Sequence, residues 1–354
     1  MRSWQKLLAL TGVVALTGCP YTEGCEAAAI ATGDASTADV NQPDGGNDAG
    51  DDDSAIPLGP ILPNCGGLVT KCNNESCCEA DNVPGGTFNR INDPGFPATV
   101  SGFRLDRYEV VVARFRSFVN AGFGTKKNPP APGSGAHPNI PDSGWKAEFN
   151  AQLQESKEDL VSALQCDTQL YDAYSEIPGK NDTLPMNCAT VAEAMAFCSW
   201  DGGRLPTETE WNYAAAGGDE QRVFPWGGAT IDKTFVNFGC QSGASVADPG
   251  APLCAFKDYT PVGVHPTGRG RWGHHDLAGN VWERTWDFVV NPFRLATCND
   301  CADLEENPAG RGIRGGSLNW GKDYQRTNDR TGVNSEPLAT RTNTVGFRCA
   351  RATK

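Results

Sequence analysis

Two capping boxes close together in the chain, Thr190-Val-Ala-Glu193 and Thr207-Glu-Thr-Glu210, constrain the fold more than any other feature. In such a box the threonine hydroxyl accepts from the backbone N–H three residues on, and the glutamate accepts from the threonine N–H. Two donors orphaned at a helix start are thereby satisfied. Two short helices are therefore predicted to begin there. The first carries Val191, Met195 and Cys198 on its inward face and stops at Gly202-Gly203. The second carries Trp211 and a small Ala214–Ala216 face, and stops at Gly217-Gly218. Arg204-Leu-Pro-Thr207 joins them as a tight elbow, so the pair forms a rigid corner. Glu208 and Glu210 flank Trp211, and one of them is expected to serve the cap and not acid–base chemistry.

Helix signals are sparse elsewhere, and 41 glycines with 24 prolines in 354 residues favour a loop-rich body. Residues 83–88 read as a turn and a short strand, and 103–112 alternate polar and apolar as a half-buried strand should. A helix is predicted over 112–121, with Phe115, Phe118 and Val119 on one face and Gly122 as its stop. Residues 145–164 also have helical spacing, and 224–228 read as a turn.

The N-terminal residues point to export. Arg2 and Lys6 precede an apolar run at 7–16, and Leu16-Thr17-Gly18-Cys19 then places a cysteine after small residues. This resembles a bacterial lipoprotein signal (1–18), whose cleavage leaves Cys19 as the lipidated first residue. The run is too short to span a bilayer. The expected location is a bacterial envelope, membrane-anchored through Cys19 and facing the periplasm or exterior. Residues 19–63 are rich in Asp, Gly, Ala, Asn and Ser, and read as a disordered acidic linker. Its Asp-rich stretch at 47–53 lacks the glycine and terminal glutamate of an EF-hand. A Cys-rich lead-in at 64–82 precedes the main domain at 83–354. The net charge of −13 argues against nucleic acid as a partner.

The 14 cysteines imply disulfides in an exported chain. With Cys19 given to lipid an odd number remains, and Cys25 is the expected unpaired thiol. Cys65, Cys72, Cys77 and Cys78 should form two local bridges of open connectivity, since their spacing does not match a zinc site. Cys166 with Cys188 and Cys240 with Cys254 read as loop-closing pairs. Cys298-Asn-Asp-Cys301 lies among loop residues and not at a helix start, so it reads as a structural staple.

Seven segments in order resemble the formylglycine-generating enzyme family, also called sulfatase-modifying factors. They are VPGGTF at 83–88, LDRYEVVVARFRSFV at 105–119, AFCSWDGGRLPTETEWNYAAAGG at 196–218, FPWGG at 224–228, DLAGNVWE at 276–283, RGGS at 314–317 and GFRCAR at 346–351. The resemblance implies an α+β fold related to C-type lectins, with little regular secondary structure. It implies a Cys198–Cys349 disulfide, and Ala215 stands where the family's second disulfide has a helix cysteine. It implies structural calcium held by Asp276, Gly279, Val281 and Glu283. A second family calcium site would use Asn237 and the Phe238 carbonyl, but its other half, near residues 254–256, departs from the pattern.

The resemblance also makes the segment 314–326 a groove wall, with Ser317, Trp320, Tyr324, Gln325 and Arg326 as ligand-binding candidates. The family's copper(I)-binding cysteines would fall at Trp320 and Gln325. Neither side chain can replace a thiolate, so copper-dependent cysteine oxidation is not expected. Another branch of the family holds iron with histidines. This chain has His137, His265, His274 and His275, and the adjacent pair is expected to be solvent-exposed or in a loop. Two readings follow. One is a non-catalytic envelope lipoprotein that binds a peptide, glycan or protein partner. The other is an oxidase or hydroxylase of altered, metal-dependent chemistry acting on a peptide or protein. The first is preferred for want of a ligand set.

Overall fold

The computed structural model describes residues 65, 68, 70–166, 172–241, 254–306, 309–330, 335–336 and 338–353. The signal segment, Cys19, Cys25 and the acidic linker lie outside the described residues. None of the described helices is long and apolar enough to cross a membrane.

Twelve short strands occur among the described residues: β1 Lys71–Cys72, β2 Glu75–Ser76, β3 Ala80–Val83, β4 Gly86–Asn89, β5 Pro97–Val100, β6 Phe103–Asp106, β7 Trp282–Phe288, β8 Cys298–Asn299, β9 Arg311–Arg314, β10 Ser335–Glu336, β11 Val345–Gly346 and β12 Ala350–Ala352. They form a β1–β2 hairpin and three small sheets, ordered β10-β9-β7-β11, β12-β6-β3 and β4-β5-β8. Four α-helices accompany them: α1 Val112–Asn120, α2 Lys157–Ala163, α3 Val191–Trp200 and α4 Glu208–Ala216. This is the loop-rich α+β fold that the resemblance implied.

Both capping boxes form. Thr190 and Glu193 close the start of α3, and Thr207 and Glu210 close the start of α4, which ends at Gly217 in the left-handed region. Glu210 does more than cap. Its carboxylate also takes two hydrogen bonds from Arg204, at 2.5 and 2.6 Å, which ties the elbow to the helix. Burial alone would raise its pKa, but Arg204 and His137 bring it down to about 2.

The main core joins α1 to α3. Phe115, Phe118, Phe197 and Phe347 are all fully buried. Phe115 and Phe197 stack at 5.6 Å, and Phe118 and Phe347 meet Phe197 edge-on. Beside them Arg114 bonds Asp106 at 2.9 Å and Asp201 at 2.6 Å, and Arg351 pairs with the same two carboxylates. Removing one member would strand a buried charge, at a cost of about 3–5 kcal/mol.

The cysteines pair as Cys65–Cys78, Cys72–Cys77, Cys166–Cys188, Cys198–Cys349, Cys240–Cys254 and Cys298–Cys301. Cys198–Cys349 ties α3 to the segment entering β12.

Three expectations are corrected. The strand expected over 103–112 ends at Asp106, whose carboxylate goes to Arg114 and Arg351. The single helix expected over 145–164 is a 3₁₀ segment, Ala147–Gln152, followed by α2. The break occurs because Ser156 adopts an extended conformation and caps α2 through the Asp159 N–H. His274 and His275 lie in a loop, as one option had it, but both are buried and not exposed. His275 stacks on Tyr108 at 5.0 Å and accepts from Arg269 at 2.7 Å.

Candidate functional site

The segment expected to wall a groove begins where β9 ends. Gly315 and Gly316 have φ of +95° and +75°, in the region that favours glycine. A Cβ on Gly316 would lie 2.5 Å from Gln325 Oε1, so the backbone must be bare there for Gln325 to pack. Gly315 O accepts from the Gly279 N–H at 2.9 Å, and Leu318 N–H donates to Asn280 O at 2.9 Å. The wall is thus stitched to the DLAGNVWE turn.

Gln325 is fully buried and donates from Nε2 towards the carbonyls of Ser317, Trp320 and Gly321, at 3.2, 3.1 and 3.3 Å. Ser317 is also fully buried, with its Oγ 2.6 Å from Asn319 Oδ1. These two candidates therefore brace the loop from behind. Trp320 and Tyr324 are partly exposed, with centroids 4.5 Å apart, and Trp282 meets both edge-on. Arg326 is exposed and pairs with Asp323 at 3.0 Å. The result is an aromatic ledge with a charged end.

Trp320 and Gln325, where the resemblance puts the copper(I) ligands, offer no thiolate. Gln325 spends its amide N–H groups on loop carbonyls, and the 12 cysteines among the described residues are all in disulfides. Among the described residues no three His, Cys, Asp or Glu side chains are grouped to hold a metal ion, the histidines included. His137 lies 3.3 Å from Glu210, and His275 is bound to Arg269. Burial lowers the pKa of His274 and of His275 to about 4.

The turn expected to hold calcium is rich in buried oxygen ligands. Asp276 Oδ2 accepts from Gly263 N–H at 2.6 Å, and burial lifts its pKa to about 6. Both Glu283 oxygens accept from Arg348 at 2.6 Å, and Oε2 also accepts from Trp211 Nε1 at 2.9 Å. Gly279 has φ of +75°, and a Cβ there would lie 2.3 Å from Asn237 O. Asn237 itself donates to the Asp258 carbonyl at 2.8 Å.

Sequence reasoning missed Glu109. Its carboxylate accepts from Asn280 Nδ2 at 2.8 Å and from Val281 N–H at 3.2 Å, so it bridges to the turn. Burial, then the charges of Asp276 and Glu283, push its pKa well above the usual carboxylate value. The signal was present as a lone acid in the apolar run YEVVV. Glu109, Asp276 and Glu283 gather around the Arg348 guanidinium, which leaves an excess of buried acidic groups. Oxygen donors and that excess suit a hard divalent cation in kind, but no three acidic side chains among the described residues are grouped to hold one. Glu283, however, is turned to Arg348, so Asp276 and the backbone oxygens of Gly279 and Val281 would carry the coordination.

Residues 67–353 match the family described as Sulfatase-modifying factor enzyme 1-like domain. A mouse protein named Formylglycine-generating enzyme is 27% identical over 307 residues, covering 76% of this chain and 73% of the relative. A mouse protein named Inactive C-alpha-formylglycine-generating enzyme 2 is 29% identical, covering 57% of this chain and 67% of the relative. Among solved structures, PvdO from Pseudomonas aeruginosa shares the fold, with a TM-score of 0.50 and 19% identity over 78% of this chain and 94% of that one.

Proposed function

Because this chain belongs to the sulfatase-modifying-factor family, we propose that it is a member whose copper position has become part of a binding ledge. On this reading it is an envelope lipoprotein, tethered through Cys19, that binds a peptide, glycan or protein partner. The observation that carries the reading is Gln325. It stands at a position where the family's oxidation needs a thiolate, and its amide braces the loop that presents Trp320 and Tyr324. A partly exposed aromatic pair offers a large apolar face with little rotamer freedom to lose on binding. Arg326 adds a charge at the end of the ledge. The mouse relative named as inactive is in keeping with a family role that does not require the oxidation.

A structural calcium ion belongs to the same reading. Asp276 with the Gly279 and Val281 carbonyls would hold it, and its charge would offset the buried acids. Its place beside the segment that pairs with Gly315 would stiffen the ledge from below.

The test uses the full chain. Peptide and glycan arrays identify a ligand, and its affinity is then compared with those of Trp320→Ala and Tyr324→Ala. The reading expects each substitution to weaken binding by about 1–3 kcal/mol. Oxygen uptake with cysteine-containing peptides, together with stoichiometric copper or iron in the purified chain, would overturn it. Radiolabelled palmitate tests the tether: incorporation should vanish in Cys19→Ala.

A further inference from the structure

The Cys298–Cys301 pair lacks a helix start in its own sequence, but the fold supplies one from far along the chain. Thr209, in the first turn of α4, places its hydroxyl 3.7 Å from Cys298 Sγ and 3.9 Å from Cys301 Sγ. Hydrogen-bond donors and helix starts of this kind stabilise thiolates. The two sulfurs are also unequal. Cys298 is 6% exposed and sits in β8, paired with Ala98 of β5. Cys301 is partly exposed and lines a cavity of about 240 Å³.

The cavity lies between the start of α4, the end of β7 and the loop 290–305. Phe288, Phe293 and Leu304 give it apolar walls, and Glu208 and Arg330 give it a charged pair. It shares no residue with the aromatic ledge.

Asp287 also lines the cavity, and its carboxylate clamps the two segments that carry the sulfur contacts. Oδ2 accepts from the Glu208 N–H at 2.5 Å, next to Thr209, and Oδ1 accepts from the Asp303 N–H at 3.0 Å, two residues after Cys301.

We propose that Cys298–Cys301 is a thiol–disulfide exchange site, which accepts two electrons from a peptide dithiol that enters this cavity. The first thiolate of the dithiol attacks Cys301 Sγ. The Cys298–Cys301 bond breaks, a mixed disulfide forms at Cys301, and Cys298 leaves as a thiolate held by the Thr209 hydroxyl and then takes up a proton. The second thiol of the substrate loses its proton and attacks its partner sulfur in the mixed disulfide. A substrate disulfide forms, and Cys301 departs as the thiolate and is protonated. The substrate loses two electrons and two protons, and the pair gains both.

Asp287 acts as a positioning residue. Burial, then the charge of Glu208 on α4, raises its carboxyl to about pH 7, while the Glu208 and Asp303 N–H bonds and then Arg311 on β9 pull the other way. Asp303 and Glu305 from the loop and Arg90, Arg294 and Arg330 around the cavity complete the surrounding charge. Below that pH the neutral acid leaves the departing Cys298 thiolate unopposed. Above it the carboxylate, held on the Glu208 N–H next to Thr209, puts a negative charge beside the Thr209–Cys298 contact and opposes the thiolate. The exchange rate, divided by the thiolate concentration of the attacking reagent, should therefore fall as pH rises through about 7.

The test exposes the full chain to stepped ratios of reduced and oxidised glutathione, with dithiothreitol as the dithiol probe. Alkylation and mass spectrometry then follow each of the disulfides. Cys298–Cys301 should open at a poise where Cys65–Cys78, Cys72–Cys77, Cys166–Cys188, Cys198–Cys349 and Cys240–Cys254 stay closed. With oxidised glutathione, Cys298→Ser should form an adduct at Cys301, and Cys301→Ser should form little at Cys298. Thr209→Val should slow reduction by about tenfold, and Asp287→Asn should flatten the pH profile. Opening together with or after the other bridges would overturn the proposal, as would an unchanged pH profile in folded Asp287→Asn. The wild-type ladder decides the question even where a variant fails to fold.

Discussion

Gln325 Nε2 lies 3.1 Å from the carbonyl oxygen of Trp320, so the side chain of one residue holds the backbone of the other. The two residues are coupled through that amide.

That coupling makes Gln325→Ala a stability variant. It removes the donor shared by three carbonyls in a buried loop, and the expected loss is about 1–3 kcal/mol. Gln325→Glu should cost more, because a buried carboxylate would face those carbonyls. Urea unfolding followed by tryptophan fluorescence checks both, and equal stability of all three proteins would sink the account.

Gly316→Ala should be costly for two separable reasons. The residue has φ of +75°, and its new Cβ would lie 2.5 Å from Gln325 Oε1. Together these should cost about 2–4 kcal/mol. In the double variant with Gln325→Ala the contact is relieved and only the backbone strain stays, so the two losses should sum to more than the measured one.

The disulfides should rank by the loops they close. On the chain-entropy model, replacing Cys198 and Cys349 by serine loses about 5 kcal/mol, and replacing Cys72 and Cys77 loses about 2 kcal/mol. Those bridges span 151 and 5 residues respectively. Denaturant midpoints under identical redox conditions give the comparison, and a reversed order would show that strain or residual structure dominates.

His274 should link stability to acid pH. Its folded value is lowered to about 4 by burial, against about 6.5 when unfolded. A depressed base contributes stability that is present above the unfolded value and is lost as pH falls from there through the folded value. The term is on the order of 2–4 kcal/mol. Asp276, raised to about 6, acts oppositely and favours the folded chain as pH falls in this window. The readout is therefore the difference between the wild type and His274→Gln at each pH, which should shrink between about 6.5 and 4.

Calcium at about 1 mM should raise the unfolding free energy by about 0.4–1.4 kcal/mol at the affinity of an extracellular site, and by more at a tighter one. Asp276→Ala should abolish the gain. Unchanged melting of the wild type with calcium and with chelator would refute the ion.

What could be read from the sequence was local. The starts of α3 and α4 were legible because each capping box closes within four residues. Ser156 was equally local, but the helical spacing around it masked the restart. The burial of Glu109 was hidden because its partners, Asn280 and Val281, lie far along the chain. His274 and His275 lie in a loop as expected, but their burial was unreadable because Tyr108, which covers His275, lies far along the chain. The inward turn of Ser317 and Gln325 was unreadable because the partners of Gln325 are backbone carbonyls, which every sequence possesses. For the same reason the helix start at Thr209 could not be assigned to the Cys298–Cys301 loop.

β3 and β12 flank β6 in one sheet, both antiparallel to it, so the first and last strands of that sheet are held by the same central strand. Just upstream, Cys65–Cys78 closes the lead-in. A pull on the N-terminal side would therefore cross that sulfur bridge and bypass the residues between, arriving at Ala80 as a load along β3. The ladder to β6 would bear it in shear, with its hydrogen bonds loaded together and not one after another. A domain held this way can take a pull from its N-terminal side without the lead-in paying out as slack.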